Sequence, residues 1–526
     1  MDFYQEIINL ILSKKIRNKD KLHEAKKKLC KKYKINRIPS DSEVLASLSS
    51  DYSYDDSILS LLIKKPTRTI SGVAIVAVMT SPEPCPHGKC IPCPGGPEFE
   101  TPQSYTGHEP AAMRASLNKF DPYLQTKNRL SQLSKIGHSI DKIDLIVMGG
   151  TFTSRILRYQ EWFVKRCFDA LNNKLSKTLN GAKKINETAS SRCIGLTIET
   201  RPDWFRIQHI DNSLNLGATR VELGVQTVFD EILSNIDRGH TVSDTIFATK
   251  LAKECGLKIC YHMMPGLPGS SEKIDLKSFK TIFNDQRFKP DMIKIYPTII
   301  VPGTKLYEKW KSNEFNALST SKASKLVAKI KESVPEWVRI QRIQRDIPLQ
   351  MICSGVDKSN LRQYVEVEMK NHGTKCRCIR CREVGLRSLK EDIDLDNLDL
   401  KLKKTRYNAS DGCEMFLSLE EKNKDLIIGY LRLRNITNSH RPELSRKPCA
   451  IIRELKVLGK ELSIGIRKKN SIQHKGYGKE LLLEAERICK DDFDKKKLYV
   501  LSGVGVKEYY RNLGFSDDGL YLFKNL

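Results

Sequence analysis

Six stretches of the chain are apolar and rich in β-branched residues, and mixed polar and apolar segments of helix length separate them. Continuous apolar runs of this kind are typical of strands that are buried on both faces of a parallel sheet. The alternation of strand and helix therefore predicts an α/β fold, and six β/α units predict a partial (β/α)6 barrel rather than a closed barrel of eight strands. The predicted strands are Ser71–Thr80, Ile143–Gly150, Cys193–Thr200, Arg220–Thr227, Lys258–Pro265 and Met292–Thr298.

The segments on either side of this barrel follow other patterns. Ile8, Ile11, Leu12 and Ile16 recur at helical spacing beside basic residues, which predicts a small helical cap over residues 1–66. From about residue 391, alternating runs predict a second domain of mixed α/β type, with a helix over Glu480–Lys490. Its predicted strands are Glu414–Leu419, Leu426–Arg434, Ala450–Leu458 and Lys497–Ser502. The predicted domains are thus residues 1–66, 67–348, 349–390 and 391–526.

Composition restricts the class of protein. The 526 residues are enough for about three domains. Hydrophobic residues make up 40% of the chain but form no apolar run long enough for a membrane span, so we expect no membrane partner. The N-terminus is polar and basic and predicts no secretory signal, so we expect a cytoplasmic protein. In that compartment the 15 cysteines are expected to be reduced thiols or metal ligands rather than disulfides.

Net charge points to a polyanionic partner. The chain carries a net charge of +27 at neutral pH. The region from Lys14 to Arg37 contains twelve Lys or Arg residues and only two acidic residues, Asp20 and Glu24. A basic helical face of this kind binds nucleic acid through phosphate contacts. The alternative is a lysine-rich genome that coats the surface with solvated charges. The residues expected to contact phosphates are Lys26, Lys27, Lys28, Lys31 and Lys32.

Three cysteines directly after the first predicted strand carry the strongest chemical signal. Cys85, Cys90 and Cys93 have the spacing C-x4-C-x2-C in a loop rich in Gly and Pro. Three thiolates suit a four-iron cluster, because they leave one iron open to a small molecule. The alternatives are a zinc site completed by His87, or a disulfide.

Polar residues also follow or end the other predicted strands. Because the chemistry of a parallel α/β barrel lies at the carboxyl ends of its strands, these residues are expected to share one active site. Each alone could be a salt-bridge or turn residue. The group consists of Gly149, Gly150, Thr151, Glu199, Gln226, His262, Lys294 and Tyr296.

A second cysteine group lies between the two domains. Cys376, Cys378 and Cys381 have the spacing C-x-C-x2-C among basic residues, which predicts a Zn²⁺ site with one further ligand. His372 is one candidate for that ligand, and a residue distant in sequence is another. The alternative is three reactive or buried thiols in a basic turn.

A glycine-rich turn precedes the predicted C-terminal helix. Such a turn presents backbone N–H groups to a pyrophosphate. The later run from Gly503 to Phe515 resembles that of N-acetyltransferase domains that bind acyl-CoA, which makes the turn a candidate acetyl-CoA site. The candidate residues of this site are Gln473, His474, Lys475, Gly476, Tyr477, Gly478, Tyr509 and Tyr510.

Taken together, the chain from about residue 66 onward resembles the catalytic subunit family of the Elongator complex, including its single-chain archaeal, bacterial and viral-type relatives. The resemblance is carried by long runs that occur in the same order. These runs are Cys85–Pro97, Gly149–Phe152, Thr197–Asp203, Arg220–Thr227, Asp237–His240, Tyr261–Gly269, Lys294–Pro297, Arg342–Pro348 and Arg382–Gly385.

The resemblance implies a radical S-adenosylmethionine (SAM) barrel joined to an acetyltransferase-like (GNAT) domain. By similarity, Cys85, Cys90 and Cys93 would hold a 4Fe–4S cluster whose open iron chelates SAM, and this favours the cluster over zinc. The turn Gly149–Thr151 would contact the amino group of SAM, and Glu199 and Gln226 would line the same pocket. Lys294 and Tyr296 would be further pocket residues with a catalytic role.

The same resemblance implies the reaction. A 5′-deoxyadenosyl radical would take a hydrogen from the methyl group of acetyl-CoA, and the acetyl carbon would add to carbon 5 of the wobble uridine of tRNA. Thioester hydrolysis would leave a carboxymethyl group. The implied partners are the tRNA anticodon stem-loop, acetyl-CoA, an electron donor and accessory subunits.

Two positions depart from the family pattern. Lys456 and Leu458 stand where the family usually carries His and Tyr, near the expected thioester site. Other functional classes are also open: a radical-SAM enzyme with another substrate, a tRNA-binding scaffold, or a protein lysine acetyltransferase of histone type. The last would use only the C-terminal domain and leave the cysteine motif as a structural element.

Overall fold

The computed structural model describes residues 2–48, 58, 61–70, 72–395, 397–459, 472, 473 and 475–526. Its first sheet has seven parallel strands in chain order, curved into a partial barrel. Strands begin where the apolar runs begin, so the six predicted strands and the α/β class are confirmed. A seventh strand joins them, and its polar sequence RIQRI explains why the apolar pattern missed it. The strands are β1 Ala74–Met79, β2 Lys142–Met148, β3 Arg192–Thr200, β4 Arg220–Gln226, β5 Lys258–Met263, β6 Met292–Ile295 and β7 Arg339–Ile343.

Helices cover the outer face of this barrel. Outward-facing strand residues such as Val76 and Val78 are fully buried against them, in one core that includes Phe163 and Ile210. Inward-facing residues such as Ile75, which is 49% exposed, instead line an internal space. The barrel helices are Pro110–Leu117, Pro122–Lys135, Leu157–Asn172, Leu179–Asn186, Ile207–Leu216, Asp230–Asn235, Val242–Glu254, Glu272–Asn284, Lys305–Lys311 and Thr320–Glu332.

The C-terminal domain contains a second, mixed sheet of seven strands in the order β13-β14-β12-β11-β10-β9-β8. Among the described strands of this sheet, β11 and β12 are the one parallel pair of neighbours. These strands are β8 Leu400–Ala409, β9 Gly412–Glu421, β10 Leu426–Asn435, β11 Cys449–Val457, β12 Lys497–Val500, β13 Ser516–Asp518 and β14 Tyr521–Asn525. The helices of this domain are Pro442–Ser445, Tyr477–Arg487 and Lys507–Arg511.

Short helices complete the chain at the N-terminus and between the two sheets. The N-terminal helices pack around an apolar cluster of their own, with Ile7, Ile11 and Leu22 at its centre. The connecting segment carries the predicted zinc ligands. The helices of both regions are Phe3–Leu12, Lys19–Lys32, Asp41–Ala46, Leu361–Asn371, Ile379–Arg382 and Val384–Arg387. Across the described residues, no helix is both long and apolar enough to cross a bilayer.

The C-terminal sheet packs against the edge of the barrel where its strands begin. Asp291 lies directly before β6, and both of its carboxylate oxygens accept hydrogen bonds from Arg453 of β11. Lys253, at the end of the helix that precedes β5, pairs with Glu414 of β9 at 3.1 Å. These charged groups are fully buried, so the contact between the two domains is specific as well as extensive.

Candidate functional site

A cavity of about 800 Å³ lies at the barrel edge where the strands end. Parallel strands bring the residues at their carboxyl ends to this common edge, as the sequence pattern predicted. Gly149 does not line the cavity, because its backbone packs against Thr80 instead. The predicted residues that line it, here called the upper cavity, are Cys85, Cys90, Cys93, Gly150, Thr151, Glu199, Gln226, His262, Lys294 and Tyr296.

The three cysteines occupy one wall of the upper cavity. The hydroxyl of Thr151 donates to Sγ of Cys85 at 3.4 Å, and Nη1 of Arg238 donates to Sγ of Cys90 at 3.6 Å. Nε2 of His87 lies 3.0 Å from the same Cys90 sulfur. Burial raises the pKa of the Cys93 thiol to about 11, so a bound cation would have to stabilise the thiolate.

The spacing of these sulfurs fits a cluster better than a single ion. The sulfur atoms of Cys85, Cys90 and Cys93 do not all lie within 4.8 Å of one another. Within the described part of the chain, two other groups of three ligating side chains do meet that distance. One zinc ion needs its ligand atoms to converge, whereas in a 4Fe–4S cluster each cysteine binds a different iron. The donors therefore fit the cluster.

The turn after β2 comes close to this wall. Gly149 and Gly150 have φ values of +122° and +68°, which side chains rarely adopt. A Cβ on Gly149 would lie 2.2 Å from Oγ1 of Thr80, and one on Gly150 would lie 3.5 Å from Sγ of Cys85. Glycine at position 149 thus allows the close approach to Thr80, and glycine at position 150 keeps the backbone beside Cys85 accessible to a ligand.

Lys294 and Glu199 form the polar centre of the opposite wall. Nζ of Lys294 lies 3.4 Å from Oε1 of Glu199 and also pairs with Glu222. The hydroxyl of Tyr105 donates to the other Glu199 oxygen at 2.8 Å. Burial alone would lower the pKa of Lys294, but the Glu222 and Glu199 carboxylates together with Tyr296 outweigh it and raise the pKa, so the ammonium stays protonated.

Gln226 ends β4 in a strained conformation. Its φ of +70° is uncommon for a residue with a side chain, and its buried Oε1 has no hydrogen-bond partner among the described residues. Strained residues persist where the surrounding fold holds them in place, and they cluster at functional sites. The amide oxygen is thus available to a ligand in the upper cavity.

Sequence reasoning missed several residues that line the upper cavity. Glu222 is fully buried, and Nε2 of His262 lies 2.7 Å from its Oε2. Arg238 lines the cavity near the cysteines together with Arg201, which belongs to the predicted run Thr197–Asp203, and Tyr105 reaches the cavity from the loop after the cysteines. A carboxylate within the buried strand RVELGVQ was the one signal that could have identified Glu222.

A second cavity, of about 500 Å³, lies between the C-terminal domain and the edge where the barrel strands begin. It exists because β11 pairs with β12 only from Cys449 to Ile452, after which the described parts of the two strands no longer pair. Residues Glu454–Val457 line this gap. The buried amine of Lys456 is among them, and burial lowers its pKa. We call this space the lower cavity.

Most of the predicted acetyl-CoA residues surround the lower cavity. Lys475 is exposed and does not line it. His474 lies outside the described residues. Leu458, the second position that departs from the family pattern, is fully buried in the core of the domain. The predicted residues that line the lower cavity are Gln473, Gly476, Tyr477, Gly478, Tyr509 and Tyr510.

Cys376, Cys378 and Cys381 form a compact site between the domains. Their sulfurs all lie within 4.8 Å of one another, as ligands of one ion must. Burial opposes ionisation of Cys378, but hydrogen bonds from the thiols of Cys376 and Cys381 outweigh it and lower the pKa of Cys378. His372 lies outside this group within the described chain, and its exposed ring has Nδ1 2.8 Å from the Glu368 carbonyl oxygen. The three thiols fit Zn²⁺.

The N-terminal basic face is smaller than the sequence indicated. Lys26 is buried, with Nζ 2.7 Å from Oδ1 of Asp41, because it lies on the apolar side of its helix. Lys32 pairs with Glu6 at 2.7 Å. Lys27, Lys28, Lys31 and the paired Lys32 are exposed, so only Lys26 is lost from the expected contact surface.

Four family models match the chain in succession. Residues 1–70 match the ELP3 N-terminal domain, and residues 85–277 match the Radical SAM superfamily. Residues 290–371 match the Radical_SAM C-terminal domain, and residues 386–515 match the Acetyltransferase (GNAT) family. The order agrees with the two cavities, because the cysteines lie in the second match and the lower cavity adjoins the fourth.

Relatives of known name match nearly the whole chain. The tRNA uridine(34) acetyltransferase of Methanocaldococcus jannaschii is 52% identical over 501 residues, which cover 94% of this chain and 92% of the relative. Elongator complex protein 3 of Dictyostelium discoideum is 42% identical, with coverage of 99% and 94%. The solved structure of Methanocaldococcus infernus Elp3 with an N-terminal deletion (1–46) is 48% identical, covers 87% of this chain and 100% of its own, and has a TM-score of 0.77.

Proposed function

The chain belongs to the Elongator complex protein 3 family, and we propose that it modifies the wobble uridine of tRNA at carbon 5, with SAM and acetyl-CoA as co-substrates. Relatives in Methanocaldococcus are named tRNA uridine(34) acetyltransferases, which supports this substrate. One observation carries the proposal: a single barrel has a cysteine-lined cavity at one end of its strands and an acetyltransferase cavity at the other.

Cys85, Cys90 and Cys93 would hold the 4Fe–4S cluster, and Gly150, Thr151 and Gln226 would contact SAM. When bound, the cluster and SAM would supply the radical chemistry that replaces one hydrogen of the acetyl methyl group and the hydrogen on C5 of uridine by a carbon–carbon bond. The first hydrogen would leave in 5′-deoxyadenosine, and the second as a proton with its electron returned to the oxidised cluster. Water would then cleave the thioester, release CoA and leave a carboxymethyl group. The residues of the chain position the reactants and exclude water.

Lys294 and Tyr296 would orient the uracil ring. The Lys294 ammonium is held protonated by Glu222, and burial raises the pKa of Tyr296, which keeps its phenol neutral. Both groups therefore present hydrogen-bond donors, which suit the two carbonyl oxygens of uracil. The uridine must leave its stack to reach them, at a cost of a few kcal/mol that phosphate contacts can offset.

The lower cavity would take acetyl-CoA. The helix Tyr477–Arg487 begins at Gly476, so its first N–H groups are available to the pyrophosphate. The exposed Lys475 is placed to add a charge to that contact, and Gln473, Tyr509 and Tyr510 line the walls. The strand edge of β11 beyond Ile452 offers backbone groups to the amides of the pantetheine arm.

The test is mass spectrometry of nucleosides from tRNA incubated anaerobically with reconstituted protein, SAM, acetyl-CoA and a reductant. We expect carboxymethyluridine, or a close derivative, that depends on SAM. Transfer of an acetyl group to a lysine peptide without tRNA would favour the protein acetyltransferase function instead. Unmodified tRNA, despite a loaded cluster and SAM cleavage, would contradict the proposal.

Cys90→Ser is the matched control for the cluster. Cys90 is buried in the cysteine wall and carries no positive charge that could contact a phosphate, so the variant is expected to lose modification and keep tRNA affinity. Modification by this variant at the rate of the unaltered protein would exclude a role for the cysteine site in the reaction.

A further inference from the structure

The proposed function raises a problem of distance, because the two cavities lie at opposite ends of the barrel strands. The methyl group of acetyl-CoA must meet the carbon radical in the upper cavity, yet the binding residues for acetyl-CoA surround the lower one. Strand β4 spans the separation: Arg220 lines the lower cavity, whereas Glu222, Gly224 and Gln226 line the upper one.

On two of the strands, inward-facing residues only two positions apart line different cavities. Asp144 lines the lower cavity and Ile146 the upper one, and the same holds for Arg220 and Glu222. Two residues of a strand rise about 6.6 Å. The cavities therefore approach each other inside the barrel to within one layer of side chains.

That layer is charged and incompletely hydrogen-bonded. Nη2 of Arg220 donates to Oδ2 of Asp144 at 3.0 Å, and Nε of Arg220 lies 3.6 Å from Oε1 of Glu222. Buried polar atoms here lack hydrogen-bond partners within the described chain, which is unusual for a protein interior and shows that this layer is not a fully paired polar core. These atoms are Oδ1 of Asp144, Oγ1 of Thr197, Nε of Arg220 and Oε1 of Glu222.

We propose that the barrel interior between Asp144 and Glu222 is a passage through which the thioester end of acetyl-CoA reaches the upper cavity. The inference rests on the proposed function. Arg220 is the side chain that spans the passage, and its contact with Glu222 is longer than its contact with Asp144. Movement of the guanidinium toward Asp144 opens the route while its charge stays paired.

Gly195 offers a way to block the passage. It lines the lower cavity beside Asp144, and a Cβ there would lie 3.4 Å from Oδ1 of Asp144, an ordinary contact. Gly195→Leu therefore adds bulk to the passage without a clash at Cβ. Gly195→Ala adds one methyl group and should have an intermediate effect.

The first experiment tests whether the acyl end of a CoA thioester can pass from the lower to the upper cavity. It uses bromoacetyl-CoA, a reagent that alkylates thiols. Ile146→Cys places a thiol beyond the constriction, and iodoacetamide shows that this thiol reacts. In cluster-loaded protein without SAM, we expect bromoacetyl-CoA to label the introduced thiol, and we expect acetyl-CoA and Gly195→Leu each to reduce labelling at least tenfold. Equal labelling with and without Gly195→Leu would overturn the passage.

The second experiment uses acetyl-CoA with a deuterated methyl group and measures deuterium in 5′-deoxyadenosine. The unaltered protein should transfer deuterium, and Gly195→Leu should transfer at least tenfold less while it still cleaves SAM. No transfer by the unaltered protein would contradict the proposed function itself. Full transfer by both Gly195→Leu and Ile146→Trp, which fills the far side of the constriction, would contradict the passage alone.

Discussion

Arg453 of β11 places Nη1 3.0 Å from Oδ1 of Asp291 in the barrel, although 162 residues separate them in the chain. Both side chains are fully buried, and the same guanidinium donates to Glu414 at 2.7 Å. This ion pair joins the floor of the barrel to the strand that borders the lower cavity. It therefore fixes the position of the lower cavity relative to the barrel and its upper cavity.

Removal of one partner of this pair should destabilise the protein strongly. Asp291→Asn leaves the Arg453 charge buried without its main counter-ion, a loss of about 3–5 kcal/mol in comparable buried pairs. We expect a clear fall in Tm by calorimetry. Asp285→Asn is the matched control, because Asp285 pairs with the exposed Arg287 and should barely change Tm. Equal Tm values for the two variants would contradict a structural role for the buried pair.

Glu414 should make the domain contact sensitive to acid. Burial alone would raise its pKa, but Arg453, Lys253 and Arg434 outweigh it and lower the pKa to about 2. A carboxyl group with a depressed pKa contributes its stability above the unfolded value near 4.5, and the contribution is lost as the pH falls toward 2. Urea unfolding midpoints between pH 7 and pH 3 should thus fall less steeply for Glu414→Gln than for the unaltered protein. Parallel slopes would show that Glu414 does not titrate with unfolding.

The apolar pattern predicted the barrel because the outward-facing residues of its strands are buried against the helices and many inward-facing ones are apolar too. It failed at β7 and β8, whose sequences RIQRI and LKLKKTRYNA carry charges that only the tertiary contacts make compatible with a strand. Local signals are clearer at the polar segment Leu179–Asn186, which forms a helix with Thr178 as its N-cap.

The cysteine wall and its strand-end neighbours could be predicted because parallel strands bring their ends together. The position of the lower cavity could not, since it depends on which edge of the barrel the C-terminal sheet covers. That choice is made by long-range pairs such as Arg453 with Asp291, and no local pattern encodes them. Glu222 is a different case, because the carboxylate within its buried strand was a local signal that could have identified it.

Three arginines on the wall of the upper cavity should bind tRNA phosphates. Arg68, Arg114 and Arg129 have no carboxylate partner among the described residues, and burial with the other two charges lowers the pKa of Arg129 to about 10. The double variant Arg114→Gln, Arg129→Gln should weaken tRNA binding and reduce the slope of log Kd against log salt by about 1–2.

Two exposed lysines that are already paired with carboxylates provide the control for these arginines. Lys329→Gln with Lys422→Gln removes the same charge far from the cavity and should leave the slope nearly unchanged. If both double variants changed the salt slope equally, net charge rather than the arginine site would account for binding.

Gln226 should contribute to SAM binding through its amide and to instability through its backbone. Gln226→Gly and Gln226→Ala both remove the amide, so both should weaken SAM binding about tenfold by calorimetric titration. Only glycine relieves the φ of +70°, so Gln226→Gly should be about 1 kcal/mol more stable than Gln226→Ala. Unchanged SAM affinity in both variants would exclude an amide contact.

Iron and zinc should depend on different cysteine groups. The wall of the upper cavity suits a cluster of four irons, and the convergent sulfurs of Cys376, Cys378 and Cys381 suit one zinc ion. Elemental analysis of anaerobically reconstituted protein should therefore show that Cys90→Ser loses iron and keeps zinc, whereas Cys378→Ser loses zinc and keeps iron.

Zinc binding should also stabilise the segment between the domains, so Cys378→Ser should lower Tm. A chelator should lower the Tm of the unaltered protein but not that of the variant. Loss of both metals in either variant would show instead that the two sites depend on each other.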